Sequence, residues 1–273
     1  MPFTDEQIER YSRHILLPEM GGAGQRTLLA SSAFVVGAGG LGSPALLYLA
    51  AAGVGRVGIA DGDVVELSNL QRQIIHRTSD LGRNKALSAM QAIRERNLDC
   101  AVEVVPERLT AANIREIVRG YDVVLDGSDN FPTRFLVADC CWLEGIPLVS
   151  AAVVGFGGQL MAVVPGAGNP CYRCFLPEPP PAGLVPSCQE VGVLGAVAGV
   201  MGALQVVEAL KVLLGVGDLL DRRLVVYDAL DGGFRSAERA RNPLCPLCGE
   251  RPTITALVEY QETPCCAGGR CGG

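Results

Sequence analysis

The 273-residue chain has no surplus of positive charge: 23 Lys and Arg stand against 29 Asp and Glu, for a formal charge of −6. That argues against a nucleic-acid surface, because backbone phosphate binding is carried by a Lys/Arg excess. Charged residues are scarce at 19% and apolar ones make up 49%, so a disordered chain is excluded and a substantial core is expected. No basic stretch leading into an apolar run opens the sequence, so no secretory signal is expected. A full membrane span is also missing. Val191 to Val207 is apolar or small except for Gln205, and falls short of the roughly 20 residues a crossing helix needs. It runs into Glu208 and Lys211, each about one helical turn further along the side that carries Gln205, so a buried soluble helix is expected and no membrane partner. There is no even cysteine framework: eleven cysteines without a signal exclude a disulfide scaffold and suggest metal-binding or reactive thiols in a reducing, cytoplasmic compartment. Internal repeats and linkers are absent as well. One domain over 1–262 with a mobile Gly/Cys-rich tail over 263–273 is the simplest organisation.

What is present alternates. Residues from Thr4 to Leu29 read as helix with Thr4 and Gln7 as a capping pair, followed by a short buried strand at Ala33–Val36 and a helix from Ser43 to Ala52. Strand Arg56–Ala60, helix Arg83–Asn97, strand Val102–Val105 and helix Ala112–Arg119 continue the pattern. Tyr121–Asp126 and Pro147–Ser150 read as two more buried strands. This order predicts an α/β, Rossmann-like, doubly wound and mainly parallel sheet. Gln159–Val164 changes character toward a hairpin-type strand, Pro177–Pro186 reads as an exposed loop, and Arg223–Tyr227 is the last clear strand, giving an antiparallel C-terminal extension.

Gly37-Ala-Gly39-Gly40-Leu-Gly42 lies between a buried strand and a helix, where bare backbone and a helix N-terminus can receive a phosphate. Asp61 closes the next strand, placed to accept both ribose hydroxyls. So far NAD, FAD and ATP are equally served. Further on come Asp63, Ser68-Asn69-Leu-Gln-Arg72-Gln73, Lys85 at a helix start, and Ser128-Asp129-Asn130 after a third strand. Cationic Arg72 and Lys85 with carboxylate Asp129 suggest a triphosphate held with Mg²⁺, which favours ATP.

Two C-x-x-C hooks, Cys171-Tyr-Arg-Cys174 and Cys245-Pro-Leu-Cys248, can supply four thiolates to one structural Zn²⁺. Two redox pairs are the competing reading, but neither hook opens an evident thioredoxin-like helix. Cys188 stands alone in the exposed loop, just ahead of the long apolar helix, a setting that suits a nucleophile. Cys100, Cys140 and Cys141 are expected in the core, whereas Cys265, Cys266 and Cys271 belong to the tail.

The glycine fingerprint, the Ser68–Arg72 run, Lys85 and the Ser-Asp-Asn at 128–130 together resemble the MoeB/ThiF/HesA family of ubiquitin-activating-enzyme-like adenylyltransferases. The likeness runs from about Glu6 to Tyr260. It implies that Gly40, Asn69, Arg72 and Lys85 contact phosphates, Asp61 the ribose, and Asp129 a Mg²⁺. Arg10-Tyr-Ser-Arg13 is similar to the motif whose second Arg enters the partner subunit's ATP site, which implies a homodimer. The cysteine loop most resembles the sulfurtransferase-fused branch, molybdopterin-synthase sulfurylase and MoeZ, and Cys188 matches its thioester- or persulfide-forming cysteine. The implied reaction is adenylation of the Gly-Gly terminus of a ubiquitin-like sulfur carrier. Catalysis falls to Arg13, Arg72, Lys85 and Asp129, with sulfur arriving from a cysteine desulfurase or a separate rhodanese. An NAD-dependent Rossmann oxidoreductase and a non-catalytic zinc scaffold are the alternatives.

Overall fold

A computed structural model describes residues 2–181 and 191–260. Eight strands form one sheet: β1 (Ser32–Val36), β2 (Arg56–Ala60), β3 (Ala101–Val105), β4 (Val123–Asp126), β5 (Leu148–Val154), β6 (Gly157–Val163), β7 (Arg223–Asp228) and β8 (Gly233–Glu238). Their order is β3-β2-β1-β4-β5-β6-β7-β8. The first five are parallel, and the turn at Gly155 begins an antiparallel run through β8. The central strands are apolar without alternation because helices cover both faces of the sheet. The order reverses between β1 and β4, so a crevice opens beyond their carboxyl ends, where open α/β sheets bind ligands.

The N-terminal segment is two helices and not the single one expected: α1 (Asp5–Ile15) and α2 (Gly21–Ala30), separated around Pro18 and a left-handed Gly21 at φ 57°. The capping box at Thr4 and Gln7 is present as read from the sequence. Next come α3 (Gly42–Ala52), α4 (Lys85–Arg96), α5 (Ile114–Val118), α6 (Phe131–Glu144) and the one-turn α7 (Tyr172–Phe175). The final helix, α8 (Gly195–Leu214), has 20 residues and is long and apolar enough to cross a membrane by length and composition. The length argument made from Val191–Val207 therefore fails, and packing decides instead. Gln205 is fully buried and donates to the carbonyls of Asp126 and Val149 at 2.8 and 3.1 Å, while buried Glu208 holds Lys211 at 2.5 Å. The two Gln205 bonds fasten α8 across β4 and β5 as a core helix.

Candidate nucleotide and metal sites

The loop leaving β1 is shaped by close backbone approach. Gly37 has φ 86°, and a Cβ on Gly42 would stand 1.8 Å from the Gly37 carbonyl oxygen, so only glycine opens α3 at this point. No side chain caps that end of α3, leaving its N-terminus open to an anion. Asp61, directly after β2, accepts the Ala38 N–H on Oδ2 at 2.8 Å and the Asp63 N–H on Oδ1 at 2.9 Å. Each oxygen keeps capacity for one further donor, which two ribose hydroxyls would fill. Burial raises the Asp61 pKa above its ordinary value, although both N–H bonds and Lys85 oppose the rise. Acidification therefore removes the ionised form earlier than for a free aspartate. ATP affinity measured by titration calorimetry is expected to fall with pH, with its inflection above the usual 3.8, and Asp61→Asn to lose that inflection.

The residues singled out after Asp61 converge on this loop. A Cβ placed on Gly40 would meet Arg72 Cγ at 3.5 Å, and one on Gly39 would lie 3.7 Å from Gln73 Nε2. The Arg72 guanidinium donates to the Ser68 carbonyl at 3.1 Å. Asn69 is buried and caps the short turn Leu67–Asn69 by accepting the Glu66 N–H. Lys85, the first residue of α4 and only 7% exposed, rests its ammonium 3.3 Å from Asp63. Gln73 Oε1 and Ser43 Oγ are buried beside the loop with no hydrogen-bond partner among the described residues. Such orphans cost about 1–3 kcal/mol each unless another group satisfies them, which fits a polar ligand here.

On the other side of the crevice, Asp126 is buried and committed. It accepts the Ser128 N–H and hydroxyl at 3.0 and 2.6 Å and the Ser150 hydroxyl at 3.2 Å, with Arg134 at 3.7 Å. Asn130 caps α6 by accepting the Thr133 N–H at 2.9 Å. Asp129, between them, is exposed and has no hydrogen-bond or ion-pair partner among the described residues, so its carboxylate is free for a cation.

Arg13 lies elsewhere. Helix α1 is fixed by Arg10 to the Arg96 carbonyl, by Tyr11 to Asn97 and Asp99, and by the His14–Gln25 pair, which leads to the Ala52 carbonyl. Those anchors are the far ends of α3 and α4, roughly 17 Å along each helix from Gly42 and Lys85. Exposed Arg13 therefore sits at the end of the sheet opposite its own crevice. His76 was not anticipated. It is buried, bridging the Ala38 carbonyl at 2.9 Å and the Ser88 hydroxyl at 2.8 Å, so that both sides of the Ala38 peptide are held. Nothing in its sequence neighbourhood marks that contact.

The two cysteine hooks meet. The four Sγ atoms of Cys171, Cys174, Cys245 and Cys248 lie within 4.8 Å of one another, with Cys171–Cys245 at 3.4 Å and Cys174–Cys248 at 3.2 Å. Tetrahedral Zn–S bonds of about 2.3 Å imply sulfur separations of about 3.8 Å, so four thiolates fit one ion. Cys171 precedes only a single helical turn of four residues, so this hook opens no long thioredoxin-like helix. Without a cation, burial pushes the Cys171 thiol up and Cys248 up to about 11. Burial acts most strongly on Cys245 and raises it, but the N–H groups of Cys248 and Leu247 together with hydrogen bonds from the Cys171 and Cys248 thiols bring that thiol down. Within the first hook, Arg173 pairs with both oxygens of Asp139 at 2.7 and 2.8 Å, donates to the Pro177 carbonyl at 2.7 Å and meets the Tyr260 hydroxyl. Cys100, Cys140 and Cys141 are buried as expected. Cys188, Cys265, Cys266 and Cys271 lie outside the described residues.

A parallel sheet whose strand order reverses at a glycine loop, together with a cluster of four cysteines that could hold a metal ion, defines an α/β protein of the doubly wound class. The ThiF family profile matches residues 11–247, and the chain belongs to that family. It is 50% identical over 265 residues to the sulfur carrier protein adenylyltransferase of Thermus thermophilus, covering 96% of this chain and 98% of that protein. It is 53% identical over 260 residues to the adenylyltransferase and sulfurtransferase MOCS3 of Bos taurus, covering 94% of this chain and 56% of that protein. The crystal structure of E. coli MccB with MccA-N7isoASN superposes with TM-score 0.77 at 22% identity, over 88% of this chain and 74% of that one, and shows the shared fold.

Proposed function

We infer that this chain is an adenylyltransferase that uses ATP to activate the C-terminal carboxylate of a sulfur-carrier protein. The observation that carries this reading is the free Asp129 carboxylate across the crevice from a glycine loop flanked by Arg72 and Lys85, in a chain half identical to a sulfur carrier protein adenylyltransferase. A carrier's terminal carboxylate is ionised at neutral pH, so no general base is required. It attacks the α-phosphorus in line, forming a carrier acyl-adenylate as the bond to pyrophosphate breaks. The chain's work is positioning and charge neutralisation. Asp61 holds the ribose, the Gly37–Gly42 backbone receives phosphate, and Arg72 and Lys85 face the developing negative charge. Asp129 would hold Mg²⁺, which when bound offsets charge on the triphosphate, and the four cysteines would hold a structural Zn²⁺. Cys188, or a persulfide on a desulfurase or rhodanese donor, then attacks the acyl carbon and displaces AMP, giving a thioester or an acyl disulfide. A thiol that attacks the donor-side sulfur of the acyl disulfide releases the carrier thiocarboxylate and leaves a disulfide on the donor. The carrier is a ubiquitin-like protein ending in Gly-Gly, and the setting is cytoplasmic. Neither an oxidoreductase nor a non-catalytic scaffold is favoured by this family membership.

Arg13 at the far end of the sheet supports a homodimer in which each crevice is completed by the partner. Arg13→Ala and Lys85→Ala chains are each expected to lose carrier-dependent ATP–pyrophosphate exchange. After the two are mixed and allowed to exchange subunits, exchange activity should return, because one crevice of each hybrid dimer is intact. No recovery in mixtures proven by mass spectrometry to contain hybrids would refute the shared site. Wild-type protein that catalyses no exchange with any Gly-Gly carrier, while binding one, would refute the enzymatic reading itself.

A further inference from the structure

The metal cluster is surrounded by arginines, and they are not equivalent. Arg173 already has a carboxylate, Asp139, so that pair is neutral. Arg239 has none. It is 8% exposed, and among the described residues its guanidinium hydrogen-bonds only to backbone carbonyls, Ala162 at 3.0 Å, Cys171 at 3.1 Å and Asp221 at 3.5 Å, with the Asp221 carboxylate attracting it from beyond contact distance. Its buried Nε has no hydrogen-bond partner among the described residues. Two residues later, half-buried Arg241 directs Nε and a terminal nitrogen to the Cys248 carbonyl at 3.0 and 2.5 Å. Among the described residues neither arginine forms an ion pair. A buried guanidinium with no carboxylate in contact loses hydration that nothing directly replaces, so further negative charge nearby stabilises it.

Four thiolates on one divalent zinc leave a net charge of −2. We propose that Arg239 and Arg241 are the counter-charges of this zinc tetrathiolate, one fastened to each cysteine hook. Arg239 binds the hook that begins at Cys171, and Arg241 the hook that ends at Cys248. Their two positive charges balance the dianion, and the N–H of Asn242, which follows them, donates to Cys174 Sγ at 3.3 Å. The arginines are positioning and neutralising residues that touch neither nucleotide nor carrier. This inference rests on the zinc reading of the cluster.

The test uses the full chain purified with zinc and a chromophoric chelator. Arg239→Met should release zinc about 10–100-fold faster than wild type, the range typical of lost metal-site support. Arg239→Lys, which keeps the charge, should release it close to the wild-type rate, and Arg241→Met should show a smaller acceleration because that side chain is half-exposed. Melting temperatures separate charge from packing. With zinc, Arg239→Met melts below wild type; stripped of zinc, it melts at or above it, since an uncompensated charge has gone. Equal lowering in both forms, or zinc release unchanged in Arg239→Met, overturns the proposal. If the stripped wild type does not fold, equal acceleration by the Met and Lys variants overturns it. Cobalt substitution tests the cluster separately. A wild-type chain lacking the thiolate-to-cobalt absorption band refutes the metal reading, whereas a band with unaffected variants refutes only the counter-charge.

Discussion

Asp129→Ala is expected to cut carrier-dependent ATP–pyrophosphate exchange by on the order of 10²-fold or more, the scale of losing a single electrostatic contact to a transition state. Its thermal midpoint should match wild type, because Asp129 is exposed and supports no hydrogen bond among the described residues. The neighbouring carboxylate cannot substitute, since the oxygens of Asp126 are taken by Ser128, Ser150 and Arg134. Raising Mg²⁺ should not restore the variant. Cys188→Ala provides the contrast, sparing exchange while reducing thiocarboxylate formation, because adenylation precedes any thiol step. Exchange at the wild-type rate by Asp129→Ala would remove that residue from the site. Loss of exchange in Cys188→Ala would break the proposed order of steps.

The second large effect concerns the fold. Asp139→Ala should destabilise the chain by about 3–5 kcal/mol, because it strands the Arg173 charge. Asp139 is 1% exposed and Arg173 is 3% exposed, and the guanidinium lies between the rings of Phe135 and Tyr260 at 4.7 and 5.5 Å. Water cannot replace the lost carboxylate there. Urea unfolding at fixed zinc concentration measures the loss. Adding Arg173→Met to Asp139→Ala should recover much of it, since removing both charges also removes their desolvation cost. A double variant as unstable as the sum of the two single variants would mean that the two side chains act independently.

The chemistry of the crevice was legible because it is local. Glycine spacing specifies a strand-to-helix turn, and Asp61, Lys85 and Asp129 each follow a strand end or start a helix. Alternation of strands and helices then brings these points to one edge. The cysteine hooks were legible for a similar reason, as two thiols per turn demand a shared partner. Other features were misread or missed. Helical pattern alone spanned Thr4 to Leu29, while Pro18 and the left-handed Gly21 break it. Strand β8 is almost wholly exposed and shows no buried apolar run, so only its pairing with β7 reveals it.

By itself, then, the sequence determined the doubly wound order, the glycine loop at the strand-to-helix turn and the two cysteine hooks that meet in one cluster. Tertiary structure decided which charges are free and which are already spent. Asp126 and Asp129 look alike in a sequence, yet one is buried among donors and the other stands open. Arg13 follows Arg10 by three residues, but only the attachment of α1 to the far ends of α3 and α4 places it away from its own crevice. Arg173 meets Asp139 from 34 residues away, and Arg239 meets Cys171 from 68. The reason is physical: local pattern reports backbone preference and burial. The partner of a charge depends on which distant segments the sheet brings within hydrogen-bonding range.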